Sequence, residues 1–347
     1  MATTIKEVAR RAGVSIATVS YVLNNKPGAV RISEATRRRI REAVRELGYH
    51  PNALARALAG KRTHTIALVM QYASIFSNWS GFTSEMMHGI VMAAVAADLD
   101  LMLHTRERPD PEAEAQALAD GRVDGALLLR DWDDPLIDLL VEQGIPSVLV
   151  FSRSRRSEVP YACCDDQLGG QTATEYLIGL GHKRILHLAG SPASSAALDR
   201  RRGYESALRA HGIEPDATLV LPMYHGGAPF DAVAQALRRE PRPTAAFAWS
   251  DDAALRLIAE ARSMALRVPT DLSVIGYDST EVCNHTSPTL TSVSQDIPGI
   301  AARGVAMLAA LMLNDAPGKS DSLVSPELCV RESCAPALTS GGSDREN

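Results

Sequence analysis

Apolar residues in the first part of the chain recur at the 3.6-residue spacing of amphipathic helices. Residues 5–12 and 14–23 each follow this pattern, and Gly13 separates them. Thr4 and Glu7 have the spacing of an N-terminal capping box, and Ser15 offers a second N-cap. Two short capped helices joined by a glycine turn are typical of a helix-turn-helix, whose second helix enters the major groove of DNA. The ordinary alternative is a helical subdomain of an enzyme.

A third helix is required because two such short helices cannot bury enough apolar surface alone. Ser33 is a suitable N-cap for it, residues 40–47 supply an apolar stripe, and Gly48 ends it. We therefore predict a three-helix unit over residues 1–50.

A short segment follows this unit and has its own weak helical pattern. Pro51 breaks the third helix, Asn52 can cap another, and Gly60 ends the sequence ALARALA at 53–59. Isolated helices this short are marginal in water. The residues alone leave two alternatives open, a plain linker or a helix that folds only when another surface holds it.

Short apolar runs alternate with helical patterns from Thr65 onward. This alternation is typical of parallel sheets covered by helices on both faces. Two successive sets predict two doubly wound α/β lobes, with a ligand in the crevice at the carboxyl ends of the strands. The predicted strands are TIALVM, LDLMLH, VDGALLL and IPSVLV in the first lobe and RILHLAG, ATLVLPM, TAAFAWS and LSVIGYD in the second.

Charge separates the two parts of the chain. Residues 1–62 contain 13 Lys and Arg against four acidic residues, a balance of +9, whereas residues 63–347 carry −14. A basic module on an acidic body indicates nucleic-acid binding confined to one end.

Length and composition indicate the number of domains, the fold class and the state of the cysteines. The 347 residues suffice for two or three domains, and 46% hydrophobic with 5% aromatic residues fits an α/β protein. The sequence shows neither a membrane-length apolar stretch nor a leader pattern, so we expect a cytoplasmic protein. The odd number and the spacing of the cysteines favour reduced thiols over disulfides or zinc, and we expect no cofactor. The cysteines are Cys163, Cys164, Cys283, Cys329 and Cys334.

The segments TIKEVARRAGVSIATVSYVLN at 4–24 and SEATRRRIREAVRELGYHPNALARALAG at 33–60 resemble the DNA-binding headpiece of LacI/GalR-type (lactose-repressor) bacterial transcription regulators. The resemblance implies that Ile16, Ala17 and Tyr21, on the second helix, face base edges. It also implies that the segment 51–62, the hinge, becomes a minor-groove helix with Leu58 inserted between bases. Many members carry polar residues or Arg where this chain has Ile16 and Tyr21, so the operator sequence does not follow. The implied DNA-binding residues are Thr4, Ser15, Ile16, Ala17, Thr18, Ser20, Tyr21, Asn24, Asn52, Ala55 and Leu58.

The resemblance extends over most of the remaining chain, including LIGLGHKRI at 177–185, SVIGYD at 273–278 and PTLTSVSQD at 288–296. It implies a lobe pair like that of periplasmic sugar-binding proteins (type I), three crossings between lobes, and a last helix near residues 297–313 that returns to the first lobe. The implied domains are a headpiece 1–50, a hinge 51–62, an effector and dimerisation domain 63–338 and a disordered tail 339–347. The first lobe then comprises 63–162 and 292–324, and the second 163–291 and 325–338.

Candidate effector contacts lie in the second lobe. Asp278 ends a buried run at the carboxyl end of a strand, where its carboxylate accepts hydroxyl groups; a structural turn is the alternative. Arg200, within DRRRGY, supplies a planar fork of donors. Both match effector-binding positions of the family. Ser250 matches a polar position, and Trp249 and Tyr224 offer aromatic faces for a sugar ring, with core packing as the alternative.

Three classes of function are compatible with such lobes. The leading one is a homodimeric repressor, with a tetramer left open, that binds palindromic double-stranded operator DNA and responds to a small molecule, a sugar. A transport component would share the lobes but has no use for the basic module. An α/β enzyme lacks support because GxGxxG after the first strand, GxxxxGK[ST] and GxSxG are absent. His182 and the pair Asp165 and Asp166 are interpreted as structural, the pair favouring a helix N-terminus.

Overall fold

The computed structural model of the chain divides into two compact units, with the boundary between Thr63 and His64. Five candidate residues lie outside the described residues, namely Asn24, Asn52, Ala55, Leu58 and Tyr224. Most of the predicted hinge and the predicted tail lie outside them as well. The structure describes residues 3–23, 32–49, 62–71, 80–106, 108–223, 230–313 and 322–338.

The first unit is a three-helix headpiece of α1 (Ile5–Ala12), α2 (Ile16–Leu23) and α3 (Glu34–Glu46). Gly13 ends α1 at φ +65°, a left-handed conformation that glycine adopts without strain. The three helices share one apolar core, made of Val8, Ala9, Ala12, Val19, Val22, Ile40, Ala43 and Tyr49. The helix-turn-helix prediction is confirmed.

The first lobe contains a six-stranded parallel sheet. Its strands are β1 (Thr65–Met70), β2 (Asp100–His104), β3 (Gly125–Leu129), β4 (Ser147–Val150), β5 (Tyr161–Cys164) and β11 (Ser322–Val324). They lie in the order β11-β5-β4-β3-β1-β2, so β2 is an edge strand. The covering helices are α4 (Gly81–Ala96), α5 (Pro111–Leu118), α6 (Pro135–Glu142) and α11 (Ile297–Met312).

The second lobe repeats this plan. Its strands are β6 (Ile185–Ala189), β7 (Val220–Pro222), β8 (Ala245–Ala248), β9 (Ser273–Asp278), β10 (Thr291–Ser294) and β12 (Glu327–Cys329). They lie in the order β12-β10-β9-β8-β6-β7, and all pairs are parallel except that of β10 with β12. The helices are α7 (Asp166–Gly179), α8 (Ser195–Ala210), α9 (Phe230–Arg238) and α10 (Asp251–Ser263).

The chain passes between the two sheets three times. It leaves the first sheet after Cys164, returns after Ser294 and leaves again after Val324. The sequence-based boundaries 162/163 and 291/292 therefore fall inside β5 and β10, and both crossings come slightly later. Apolar runs locate strands, but the sheet that a strand joins depends on pairing with distant strands.

Helix α11 returns to the first lobe and completes its core. Ile297, Ile300 and Val305 on α11 pack with Leu68 of β1 and Val150 of β4. This packing follows from the apolar stripe of α11, which meets a sheet of fully buried strands. None of the helices among the described residues is both long and apolar enough to cross a membrane.

Candidate functional site

Helix α2 buries one face and exposes the other at its N-terminus. Val19 and Val22 lie in the headpiece core, whereas Ala17 is exposed and Ile16 keeps 43% of its surface in solvent. The Ser15 hydroxyl caps the helix by accepting a hydrogen bond from the Thr18 amide at 3.1 Å. Two small apolar side chains therefore face solvent at the end of α2 that the sequence assigned to base contacts.

The other described headpiece candidates are half-buried or use their polar groups for bonds within the headpiece. The amide and the hydroxyl of Thr4 both donate to Glu7, at 2.7 and 3.0 Å, so its polar groups cap α1. Thr18 and Ser20 are half-buried. The Tyr21 hydroxyl is buried and has no hydrogen-bond partner among the described residues. In this conformation the Tyr21 hydroxyl does not project toward solvent, although the family resemblance implies that Tyr21 faces base edges.

Exposed arginines add positive charge to the headpiece. Helix α3 presents four of them, Arg38, Arg39, Arg41 and Arg45. Lysine and arginine at such positions attract phosphates regardless of base sequence.

The second candidate site lies at the carboxyl edge of the second sheet, where two helices approach closely. A Cβ at Gly170 of α7 would lie 2.2 Å from the Arg200 carbonyl oxygen, and one at Gly203 of α8 would lie 2.1 Å from the Gln167 carbonyl oxygen. Only glycine fits at such distances. This approach brings Asp166 on α7 to Arg200 on α8.

Arg200 is held on three sides. Its Nε donates to Asp166 Oδ1 at 2.8 Å, and Nη1 donates to the Trp249 carbonyl oxygen. Its guanidinium lies 3.5 Å from the centroid of the Tyr277 ring. Burial is the largest single influence and opposes the charge of Arg200, but Asp166, Tyr277 and Asp278 together outweigh it and raise the pKa of Arg200. The donor fork is therefore fixed and permanently charged.

Asp278 ends β9 beside this arginine and is 8% exposed. Its Oδ1 accepts a hydrogen bond from Gln295 Nε2 at 2.5 Å. Burial, and then the charge of Asp251, raise the pKa of Asp278 well above its usual range, while the charge of Arg200 acts in the opposite direction. A carboxyl, a guanidinium and an amide thus meet at one edge of the sheet.

Ser250 and Trp249 lie on the loop between β8 and α10. The Ser250 hydroxyl caps α10 by accepting from the Ala253 amide at 3.2 Å. The Trp249 side chain is half-buried and packs against the second-lobe core, and a Cβ at Gly190 would lie 2.7 Å from its ring. Core packing therefore accounts for one side of the Trp249 ring.

Two family descriptions match the chain. "Bacterial regulatory proteins, lacI family" matches residues 4–52, and "Periplasmic binding protein-like domain" matches residues 174–334. The HTH-type transcriptional regulator CelR of Thermobifida fusca is 35% identical over 338 residues, which cover 95% of this chain and 98% of CelR. The chain belongs to the lacI family of bacterial regulatory proteins.

Solved structures of LacI-family proteins share the fold. The transcriptional regulator CelR-cellobiose complex has a TM-score of 0.71 at 33% identity, covering 95% of this chain and 99% of that chain. A lac repressor dimer bound to operator and the anti-inducer ONPF has a TM-score of 0.80 at 28% identity, covering 96% and 100%.

In this LacI-family chain the two lobes also contact each other beside Arg200. The hydroxyl oxygens of Ser152, after β4, and Ser195, at the start of α8, are 3.1 Å apart. Arg153 of the first lobe forms an ion pair with Asp199, which also pairs with Arg202 at 3.0 Å. One turn of α8 therefore carries both a lobe-to-lobe ion pair and the candidate effector arginine.

Several groups of this site were not recognised from the sequence. Asp165 and Asp166 lie at the N-terminus of α7 as expected: Asp165 caps it by accepting from the Leu168 amide at 3.0 Å, and Asp166 lies in its first turn. A further contact of Asp166 was missed. Asp166 is also the buried partner of Arg200. Asp251 and Gln295 were not singled out; Asp251 directly follows the predicted strand TAAFAWS, which was the available signal, whereas the strand before Gln295 was not predicted.

The assembled groups suit recognition of hydroxyl groups. The carboxyl, guanidinium and amide supply directional acceptors and donors in a largely buried setting. Among the described residues, no group of three His, Cys, Asp or Glu side chains is arranged to hold a metal ion. All five cysteines are unpaired; three are buried, and Cys329 and Cys334 are half-buried.

Proposed function

We propose that this LacI-family chain is a transcriptional repressor that binds an inverted-repeat operator as a homodimer and whose DNA affinity is controlled by a sugar beside Arg200 and Asp278. Residues 1–50 bind DNA, 51–62 link the units, and 63–338 bind the sugar and dimerise. The observation that carries the proposal is the exposed N-terminus of α2 on a headpiece with a balance of +9.

Base readout by α2 follows from its exposed side chains. Ile16 and Ala17 have no hydrogen-bonding groups, so they favour the methyl group of thymine and cannot bond guanine. The Tyr21 hydroxyl contributes only after it leaves its buried position. The half-site is therefore expected to contain thymines opposite the start of α2.

Dimerisation is supported by an apolar surface on the first lobe. Helix α4 exposes Val91, Met92 and Val95 at 42%, 56% and 69%, and the adjacent edge strand β2 exposes Leu103 at 41%. Adjoining apolar side chains beside an unpaired strand edge favour burial against a second copy. A two-fold pair presents two headpieces, which requires an inverted repeat. The lac repressor structure is a dimer bound to operator.

The effector class follows from charge. Arg200 already faces Asp166 and Asp278, so among the described residues its positive charge is balanced and does not by itself select an anion. A neutral molecule with several hydroxyl groups fits the donors and acceptors that remain near Asp278 and Gln295. The CelR structure contains cellobiose. We infer that the sugar is bound and released without chemical change.

The test is selection of DNA from a random duplex library with the full chain. We expect inverted repeats, and about 10- to 100-fold weaker binding by Ile16→Glu, which places a negative charge against DNA. Leu323→Glu is a matched control, because Leu323 is 54% exposed in the other unit and its change leaves affinity within about twofold. A monomer on a single unrepeated site would contradict the proposal.

A thermal-shift panel of sugars, followed by chromatography of the recovered sugar, tests whether a sugar binds and whether it is released unchanged.

A further inference from the structure

The turn after β9 has an unusual backbone. Asp278 has φ +110° and Ser279 has φ +51°, and neither is glycine. Side chains at such angles are strained, and strain of this kind persists only where neighbouring groups hold it. The strained turn places the Asp278 carboxyl beside Gln295 and Arg200, so the groups that hold the turn also determine the geometry of the candidate effector site.

Asp251, the first residue of α10, is the main tether of this turn and is 2% exposed. Its Oδ2 accepts from the Thr280 amide at 2.8 Å and from the Thr280 hydroxyl at 3.0 Å. Its Oδ1 accepts from the Ser292 hydroxyl at 2.5 Å, and Ser292 Oγ accepts from the Ser279 amide at 3.0 Å. One carboxylate therefore holds two successive residues of the turn.

The strand beneath Asp251 is shaped to admit it. A Cβ at Gly276 would lie 2.5 Å from Asp251 Oδ1. Glycine in the middle of β9 thus leaves room for the carboxylate to cross the strand and reach Thr280. This fit indicates a specific position for Asp251 rather than a flexible surface contact.

The same turn contacts the first lobe on its other side. A Cβ at Gly81, the first residue of α4, would lie 2.7 Å from Thr280 Cβ. Burial raises the pKa of the Glu85 carboxyl, which lies one turn further along α4, and the nearby Glu281 amide acts in the opposite direction. Residues 280 and 281 therefore join the Asp251 tether to the helix whose far end carries Val91, Met92 and Val95.

We propose that Asp251 is a positioning residue that holds the turn 278–280 in its strained form and thereby links the effector carboxyl of Asp278 to the first turn of α4. The Asp251 tether prevents the turn from moving toward α10. When a hydroxyl group binds Asp278 and displaces the turn, the turn therefore moves against Gly81 and Glu85. The link to effector binding rests on the proposed function, whereas the tether itself does not.

The first test needs no effector. Amide hydrogen exchange of the full chain is compared for wild type, Asp251→Ala, Asp251→Asn and the matched control Asp252→Ala, whose residue lies next on α10 and is exposed. We expect Asp251→Ala to speed exchange at least about tenfold in residues 279–281 and in 81–86, while β9 and the rest of α10 keep their protection. Asp251→Asn keeps an oxygen for Thr280 and restores most of the protection.

Two outcomes would overturn the proposal in this experiment. Unchanged exchange at 279–281 in Asp251→Ala would show that Asp251 does not hold the turn. Faster exchange at 279–281 with none at 81–86 would show that the turn is not linked to α4. If Asp251→Ala loses protection throughout the second lobe, Ser292→Ala decides, because it breaks the link between Asp251 and the Ser279 amide but keeps both Asp251 bonds to Thr280, and is expected to affect the same two segments.

The second test uses cellobiose and isothermal calorimetry. We expect Asp251→Ala to weaken cellobiose binding about tenfold or more, and Ser279→Gly added to it to recover several-fold, because glycine favours the left-handed angle without a tether. Absence of recovery would contradict a positioning role through the turn. If wild type does not bind cellobiose, the thermal-shift panel decides the sugar class of the proposed function, and the exchange experiment alone decides the role of Asp251.

Discussion

The headpiece and the second lobe each contain an arginine-carboxylate pair, and the two pairs differ in their surroundings. Arg11 and Glu46 lie 2.6 Å apart with 57% and 51% of their side chains exposed, whereas Arg200 and Asp166 lie 2.8 Å apart with 6% each. Water screens the first pair, and the second has lost its hydration. The candidate DNA-binding site of the headpiece is therefore a surface whose residues can be exchanged separately, and the candidate effector site is part of the core of its lobe.

The largest expected effect is on the buried pair. Arg200→Ala leaves Asp166 buried without its partner, and we expect it to lower the free energy of unfolding of the second unit by about 3–5 kcal/mol. Urea unfolding measures this loss. As a control, the double variant Arg200→Met with Asp166→Leu replaces both charges by apolar groups and is expected to recover most of it. A loss below about 1 kcal/mol for Arg200→Ala would remove the distinction between the two pairs.

The buried side chain of His187 extends the contrast between buried and exposed charged groups to the pH dependence of stability. Its ring lies between those of Tyr204 and Phe247, with centroids 4.9 and 4.8 Å away. Its Nε2 has no hydrogen-bond partner among the described residues. Burial lowers the pKa of His187 from 6.5 to about 4. The unfolded chain therefore binds a proton that the folded chain excludes between these two values.

The sign of the effect follows from this proton. The contribution of His187 to stability is complete above pH 6.5 and is lost as pH falls toward about 4. We expect a slope of up to about 1.4 kcal/mol per pH unit from this group. His187→Phe removes that slope, and His285→Phe, which changes a histidine 70% exposed, keeps it. Equal slopes for wild type and His187→Phe in urea unfolding would contradict the prediction.

A smaller effect is expected from the cap of α2. Ser15→Ala removes the acceptor for the Thr18 amide and is expected to lower headpiece stability by about 1 kcal/mol. Ser15→Asp keeps an acceptor and serves as the control. Amide exchange of residues 5–23 measures the loss, and unchanged exchange in the second unit shows that it stays local. Equal protection in Ser15→Ala and Ser15→Asp would mean that the cap contributes nothing.

The smallest effect is expected from the exposed pair. Arg11→Ala should change headpiece stability by no more than about 0.5 kcal/mol, because the Arg11 and Glu46 charges are well hydrated when apart. Amide exchange of α1 and α3 measures it. A change as large as that of Arg200→Ala would show that exposure does not explain the contrast.

The same contrast explains which features could be predicted from the sequence. The headpiece helices, their caps and Gly13 follow from residues within about one turn of each other, so the pattern located them. The strand end at Asp278 was visible in the run VIGY. Its neighbours Asp251 and Gln295 come from other strands and helices, and no local pattern brings them together.

Burial of polar groups was the second feature that the sequence could not supply. Tyr21 and Thr18 belong to one short helix, yet the Tyr21 hydroxyl is buried by tertiary packing. Asp165 and Asp166 are adjacent in sequence, and only the close approach of α7 and α8 at Gly170 makes one a cap and the other the partner of Arg200.

Coupling between DNA binding and sugar binding is tested by measuring both together. The full chain is titrated with the selected inverted-repeat duplex at increasing concentrations of the sugar that gives the largest thermal shift, and with that sugar at saturating duplex. Coupling between the two sites requires that the sugar change the Kd for DNA and that DNA change the Kd for the sugar by the same factor, which we expect to be about 5- to 150-fold. Sugar affinity that is identical with and without bound duplex would contradict the account.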